Sequence, residues 1–371
     1  MQLKNKFLTG FLFLFLLIPF LGHGDSTIDS TNGTWNLQIR TDYGFIIAHR
    51  PALEPLQEEH VKGFEITLSA KSFGKNDWEN NFNYPSYGIT LAVFDLGSKD
   101  KLGTGIALYP FIDFPLGKNP GQGLHFRYGM GLGYVEKIFN RSDNFKNAAI
   151  GSHLNEAVHF DLHYEIRLSE KSDLELGTGI THFSNGAYHL PNLGINIATL
   201  NFSYRKAFGN KHVYIKRVIQ PVNKKSTFLI HAGAFSKSIY PPLGKNYFVA
   251  AISSLYLKPL NNKSSWGFGI DLFYDNSISA RIDRLGLTKS KSIDNFRPGI
   301  YGAYHLSIHK IGLMFNMGYY LYNGWKDDGN IYHKICLNYY FEKLFLCLNL
   351  KSHYARADMI ELGIGYRIAN K

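Results

Sequence analysis

Cysteine is almost missing from this 371-residue chain, which carries only Cys336 and Cys347. Two cysteines exclude a disulfide-stapled scaffold and a cysteine-rich metal module. Both fall on neighbouring predicted strands joined by a short Glu342-Lys343 turn. The hairpin register sets Cys336 opposite Asn349, so two free thiols are expected rather than a bridge. No spacing resembles a zinc or haem site, and neither a metal nor a cofactor is expected. Long apolar runs are also scarce. Beyond the first residues nothing approaches the roughly 18 unbroken apolar residues of a spanning helix, so any membrane residence must come from strands. Charged residues make up only 19% of the chain. The basic excess, +11 with a sequence pI near 9.3, comes with no helix-turn-helix, RNA-recognition or zinc-finger pattern, which excludes a nucleic-acid partner. A basic rim facing an anionic lipid headgroup accounts for it better.

The start of the chain is the one apolar stretch. Lys4 and Lys6 precede a run from Phe7 to Leu21, followed by Gly22-His23-Gly24. A short greasy run with a small-x-small end reads as an export signal over 1–24, with the mature chain beginning at Asp25.

Glycine (36), tyrosine (24) and phenylalanine (28) are abundant, and the mean hydropathy is −0.16. Lipid-facing and lumen-facing residues that alternate along strands cancel to such a mean. Val158, Phe160, Leu162, Tyr164, Ile166 and Leu168 oppose His159, Asp161, His163, Glu165 and Arg167. A row of ionisable groups behind a wholly apolar face is ruinous in a soluble core but can be hydrated or paired in a barrel lumen. The Asp161, His163 and Glu165 row reads as such a lumen wall rather than a metal set. Leu200 and Phe202 share the lipid parity, and Asn201, on the lumen parity, is expected to tolerate arginine.

Segments with this period run over 35–48, 62–73, 86–97, 102–116, 123–137, 152–169, 173–185, 196–208, 227–240, 246–260, 266–277, 296–309, 311–323, 331–343, 344–355 and 359–370. The predicted fold class is all-β: one closed, antiparallel outer-membrane β-barrel of about 16 strands. With the N-terminus in the periplasm, 138–151, 186–195 and 278–295 become outer loops. Two connections fit that scheme less well: 98–101 is short although outer, and 209–226 is long although periplasmic. The halves also resemble each other, 25–208 against 227–371, as a duplicated eight-strand unit would. Ala355 in the second half takes the place held by Ser184 in the first, and His353 falls on the polar parity, so only the first half carries a complete nucleophile and base.

The chemistry sits at residues 182–196. His182 and Ser184 lie two apart on the apolar parity of a strand, roughly 6–7 Å apart at Cα, so imidazole and hydroxyl can meet. A serine needs a base to become a nucleophile, and histidine serves near neutral pH. Asn196, at matching parity on the next strand, can accept from the imidazole N–H and fix its tautomer. Such groups on an outward apolar face point to an enzyme whose substrate is a lipid.

Segment 147–205 resembles a known family through Gly151-Ser152-His153-Leu154-Asn155, His182-Phe183-Ser184-Asn185-Gly186 and Pro191-Asn192-Leu193-Gly194-Ile195-Asn196. These pieces are similar to the PagL-like lipid A 3-O-deacylases, in the long, Bacteroidetes-type acyloxyacyl hydrolase form. The resemblance implies a serine esterase of the outer membrane that removes the 3-linked hydroxyacyl chain of lipid A in lipopolysaccharide. It gives Ser184 as nucleophile, His182 as base and Asn192 as oxyanion support. Asn185 and Gly186 shape the turn beside the nucleophile. Asn196 stands where the family often has a carboxylate, and an amide stabilises the imidazolium less. The family's founding members are eight-strand barrels, about half this length. The rival reading is a non-catalytic barrel serving as a pore or adhesin scaffold.

Overall fold

The computed structural model describes residues 35–369 apart from 118–121, 210–213, 219–220, 223, 287–288 and 355. The expected export signal and Ala355 lie outside the described residues.

Sixteen strands form: β1 (Trp35–Ile46), β2 (Val61–Lys71), β3 (Ser86–Asp95), β4 (Thr104–Pro115), β5 (Gly123–Val135), β6 (Leu154–Ser169), β7 (Ser172–Ser184), β8 (Ile195–Phe208), β9 (Thr227–Ser238), β10 (Asn246–Pro259), β11 (Ser264–Asp275), β12 (Phe296–Ile308), β13 (Ile311–Tyr320), β14 (Ile331–Phe341), β15 (Leu344–His353) and β16 (Arg356–Ala369). Every one matches a segment of alternating sequence. Two short helices, α1 (Asp77–Asn81) and α2 (Ser277–Leu285), lie in connections and carry no periodic signal long enough to read.

The strands close into two rings of eight rather than the single ring expected. β8 returns to β1, with Trp35 opposite Phe208 and Ile46 opposite Ile197, while β16 returns to β9. Closure is a choice of partner for an edge strand, and side-chain parity is the same whichever partner is taken. The long connection after β8, which fitted a single barrel poorly, is where one ring ends and the next begins. By compactness the chain divides into 1–185 with 191–219, and 186–190 with 220–371.

In each ring the outward residues are mostly apolar, and the inward ones combine charged and polar groups with an apolar cluster. Leu162, Tyr164, Leu200 and Phe202 are exposed on the outer face of the first barrel, while Asp161, His163, Asn201 and Ser203 are buried inside. An eight-strand interior is just wide enough for side chains to fill, and here charged groups fill part of it. Arg40, fully buried, donates to Asp161 Oδ1 at 3.1 Å and stands 3.8 Å from both Glu65 and Glu175. Arg127 pairs with Asp113 at 3.0 Å, and Arg205 with Glu165 at 2.5 Å, Asp173 at 2.7 Å and Glu175 at 2.9 Å. Asn201 donates to Asp161 Oδ2 at 2.6 Å. That site has no room for arginine, so the tolerance expected at Asn201 does not hold: the expectation assumed a wider, watery lumen.

The second lumen is built the same way. Lys334 donates to Asp271 at 2.5 Å, and Lys237 bridges Asp275 and Asp358 at 2.6 Å each. Cys336 pairs in register with Asn349, and both cysteines are free and buried. Buried ion pairs of this density hold only when each charge is matched and hydrogen-bonded.

In the second barrel the connections sort by length: 239–245, 276–295 and 321–330 emerge at one end and the turns 260–263, 309–310 and 342–343 at the other. In the first, 47–60, 96–103, 136–153 and 185–194 share one end, while the 72–85 connection that carries α1 and the Ser169–Ser172 turn lie at the opposite one. The candidate site lies at the loop end of the first barrel.

Candidate active site

Strand geometry alone puts His182 and Ser184 side by side on the outward face of β7, above the exposed Ile180 and Leu176. The register then supplies their neighbours. His182 lies between Val158 of β6 and Asn196 of β8, and Ser184 lies beside Glu156 of β6.

His182 Nδ1 is 2.6 Å from Asn196 Oδ1. A carboxamide oxygen only accepts, so Nδ1 carries the proton and Nε2 is left as the basic nitrogen of a neutral ring. The amide also reaches the other way, with Asn196 Nδ2 3.0 Å from His49 Nδ1. Two imidazoles thus fix which end of the amide faces His182: the oxygen points to it because the nitrogen donates to His49.

Asn192, in the connection after β7, reaches back to the serine. Asn192 Nδ2 donates to Ser184 Oγ at 3.0 Å, and Asn192 Oδ1 accepts the backbone N–H of Asn185 at 3.0 Å. The Asn185 side chain donates to Ser152 Oγ at 2.7 Å, and Ser152 donates to Asn155 Oδ1 at 3.0 Å. The Gly151–Asn155 stretch is therefore wired to the residue after the serine. Ser184, although on the outward face, is only 8% exposed.

Gly194 is needed where it stands. Its φ is 80°, and a Cβ there would come 2.5 Å from His182 Cε1, so the missing side chain is what lets the imidazole lie against the loop. Its N–H donates to Ala149 O at 2.9 Å. Asn147 holds that acceptor segment by accepting from Ala149 and Ile150 N–H, both at 3.2 Å. At the rim, Ser98 donates to Glu58 at 2.6 Å and Lys101 donates to its other oxygen. The Lys101 hydrogen bond, with that of Ser98, holds the Glu58 carboxyl below its ordinary range.

Of the residues expected from sequence, His182 pairs with Asn196, and Ser184 and Asn185 pair with Asn192, two hydrogen-bonded groups at the end of β7. Gly186, at φ 60°, turns the chain and is grouped with the second compact unit. His153 turns to the backbone, its Nδ1 3.0 Å from Val135 O, and His159 faces the lumen. Two residues were missed. Glu156 is a carboxyl on the lipid parity of β6, opposite Ser184, and extending the apolar row one step before Val158 would have found it. His49 follows the end of β1 in an irregular segment, where no periodicity marks it.

A resting group of this kind can take a proton from a hydroxyl at Nε2 and keep the imidazolium aligned through Nδ1.

Comparison with known proteins gives two family models. That described as Lipid A 3-O-deacylase (PagL) matches residues 62–205, and that described as Acyloxyacyl hydrolase, C-terminal domain, matches 225–371. Among solved structures, Neisserial surface protein A is similar at 13% identity over 47% of this chain and 97% of its own, with a TM-score of 0.30. A triple mutant of the Rhodopseudomonas blastica porin is similar at 10% identity over 91% of this chain and 99% of its own, with a TM-score of 0.19. An outer-membrane channel from Pseudomonas putida F1 is similar at 11% identity over 94% of this chain and 98% of its own, with a TM-score of 0.19. No curated protein matches the chain.

Proposed function

The chain belongs to the PagL family of lipid A 3-O-deacylases across residues 62–205 and 225–371, and from that premise we propose that it is a serine esterase acting on lipid A at the outer leaflet of the bacterial outer membrane. Ser184 is the nucleophile, His182 the base, Asn196 the group that orients the base, and Asn192 the oxyanion support. Asn185 and Gly186 shape the loop around them.

The observation that carries this reading is the 2.6 Å contact between His182 Nδ1 and Asn196 Oδ1. It leaves Nε2 as the basic nitrogen of the ring, on the same outward strand face as Ser184. In the first step the Ser184 hydroxyl proton passes to His182 Nε2 as Oγ attacks the ester carbonyl. The tetrahedral oxyanion forms within reach of the Asn192 amide, which already donates toward Oγ. Collapse breaks the carbon–oxygen bond to the sugar 3-hydroxyl, and His182 returns the proton to the leaving oxygen. Water, activated by the same nitrogen, then releases the 3-hydroxy fatty acid and restores Ser184. Asn196 stabilises the imidazolium by a dipole where a carboxylate would use a full charge, so a slower turnover follows than a carboxylate would give.

The loop end is assigned to the outer leaflet because outer-membrane barrels carry long loops outside and short turns in the periplasm. Of the rival readings, a pore is opposed by the packed, ion-paired lumens. Mass spectrometry of lipid A from cells with and without the gene separates the two. Loss of one 3-hydroxyacyl chain only where an intact Ser184 is expressed supports the esterase. Unchanged lipid A with altered solute permeability would sink it.

A further inference from the structure

Asp113 on β4, His125 on β5 and His163 on β6 meet inside the first barrel, each offering a ligand atom within 4.8 Å of the others. All three are buried. We propose that this trio is a zinc site in the lumen, distinct from the candidate esterase site and independent of the deacylase reading. Asp113 Oδ1 is 2.9 Å from His125 Nδ1, and Asp113 Oδ2 is 3.4 Å from His163 Nε2. Tetrahedral zinc with bonds of about 2.0–2.1 Å leaves its ligand atoms about 3.3 Å apart, close to that second spacing.

Two further observations point to a cation. First, His125 Nε2 and His163 Nε2 are both buried without a hydrogen-bond partner. His163 Nδ1 meanwhile lies 2.6 Å from Asp161 Oδ1, the carboxylate–histidine support that fixes the tautomer of metal-bound imidazoles and turns Nε2 toward the ion. Second, with its histidines neutral, as ligands to a metal are, the charge of this lumen does not close. Asp113 and the six other lumen carboxylates, on Asp42, Glu65, Asp161, Glu165, Asp173 and Glu175, face five permanent cations: Arg40, Arg127 and Arg205 inside, with Lys71 and Arg167 toward the turn end. A divalent ion makes good that excess of two, as protons on the lumen histidines otherwise would. Glu175 Oε2, 3.6 Å from His163 Nε2, adds negative charge beside the ion. Two imidazoles with a carboxylate and no thiol suit zinc better than calcium or magnesium.

The comparable trio of the second barrel is different. Asp328 is held by Arg281, Arg297 and Arg356, and Asp358 by Lys237 and Lys351. Five cations of the chain occupy it, against the single Arg127 that holds Asp113 Oδ2 at 3.0 Å in the first trio, and it serves as the control.

The test uses the full-length barrel protein folded in detergent with zinc, dialysed, and assayed for bound metal by mass spectrometry. The expected result is about one zinc per chain in the wild type and in His353→Asn, falling at least tenfold in a His125→Gln, His163→Asn variant. Asparagine at 163 can still donate to Asp161, and circular dichroism with heat-modified gel mobility reports whether the variant is folded. If that variant does not fold, cobalt added to the wild type decides the matter: bands of four-coordinate cobalt support the site. A wild type that binds no zinc, or cobalt that stays six-coordinate and washes out, overturns it and leaves the histidine pair holding protons only.

Discussion

His182 and Asn196 face each other across the β7–β8 register, with the imidazole Nδ1 2.6 Å from the amide oxygen. The pair settles the tautomer of the ring in the resting protein, and the reactivity assigned to Ser184 depends on it.

Ser184→Ala is expected to abolish lipid A deacylation, by about 10³-fold or more, with the barrel intact. His182→Asn should be as inactive, because base and nucleophile fail as a unit. The readout is release of the 3-hydroxy fatty acid from purified lipid A, with folding followed by gel mobility. Full activity in a folded Ser184→Ala protein ends the assignment.

Asn196→Ala is expected to lower kcat about 10- to 100-fold, the loss of one orienting hydrogen bond to a group that becomes charged. Asn196→Glu should raise kcat above wild type by supplying a full negative charge beside the imidazolium. His49→Ala acts only through the orientation of the amide and should cost about 2- to 10-fold in kcat with KM unchanged. An effect of His49→Ala in an Asn196→Glu background equal to that in the wild type would contradict this, since glutamate has no amide to orient.

Gly194→Ala should be inactivating although the residue bears no functional group. Its Cβ would fall 2.5 Å from His182 Cε1 at a φ of 80°, so either the ring or the loop must move. A crystal structure or steady-state assay of the variant showing an undisplaced ring and normal kcat would refute the argument.

Arginine at Leu162 or Leu200 should cost about 2–4 kcal/mol if these exposed positions lie near the bilayer midplane. Leu200→Ile should stay within about 0.5 kcal/mol. One residue on, Asn201→Leu should cost about 1.5–3 kcal/mol, because Asp161 loses a charge-assisted hydrogen bond inside the lumen. Denaturant titrations in lipid vesicles measure all three, and an Asn201→Leu protein as stable as Leu200→Ile would contradict the inward placement of residue 201.

His353→Asn, in the second barrel, should leave deacylation unchanged. The ring is buried in that lumen with its Nε2 2.9 Å from the Tyr320 hydroxyl. Lost turnover with normal folding would mean that the second barrel takes part in the chemistry.

The strands were legible because side-chain alternation is a local property that each segment displays without reference to its partners. The His182, Ser184 and Asn196 grouping was legible for the same reason: two residues share one strand, and the third lies at matching parity on the next. The Asn192 contact could not be drawn from periodicity and entered through family resemblance, because a loop has no repeat to read. His49 was out of reach, since the β1–β8 closure that carries it to Asn196 joins residues nearly 150 apart in sequence.

By itself, then, the sequence determined the period-two pattern, the sixteen segments, the outward parity of His182 and Ser184 and the inward parity of the charged rows. These follow from the chirality and pleat of the extended chain acting over a few residues. Tertiary structure decided that β8 turns back to β1, so that two narrow rings form in place of one wide one. It also decided that Asp113, His125 and His163, each unremarkable on its own strand, converge in a single lumen. Those outcomes depend on which distant edges pair and on how much side-chain volume the closed ring must hold, and no local pattern encodes either.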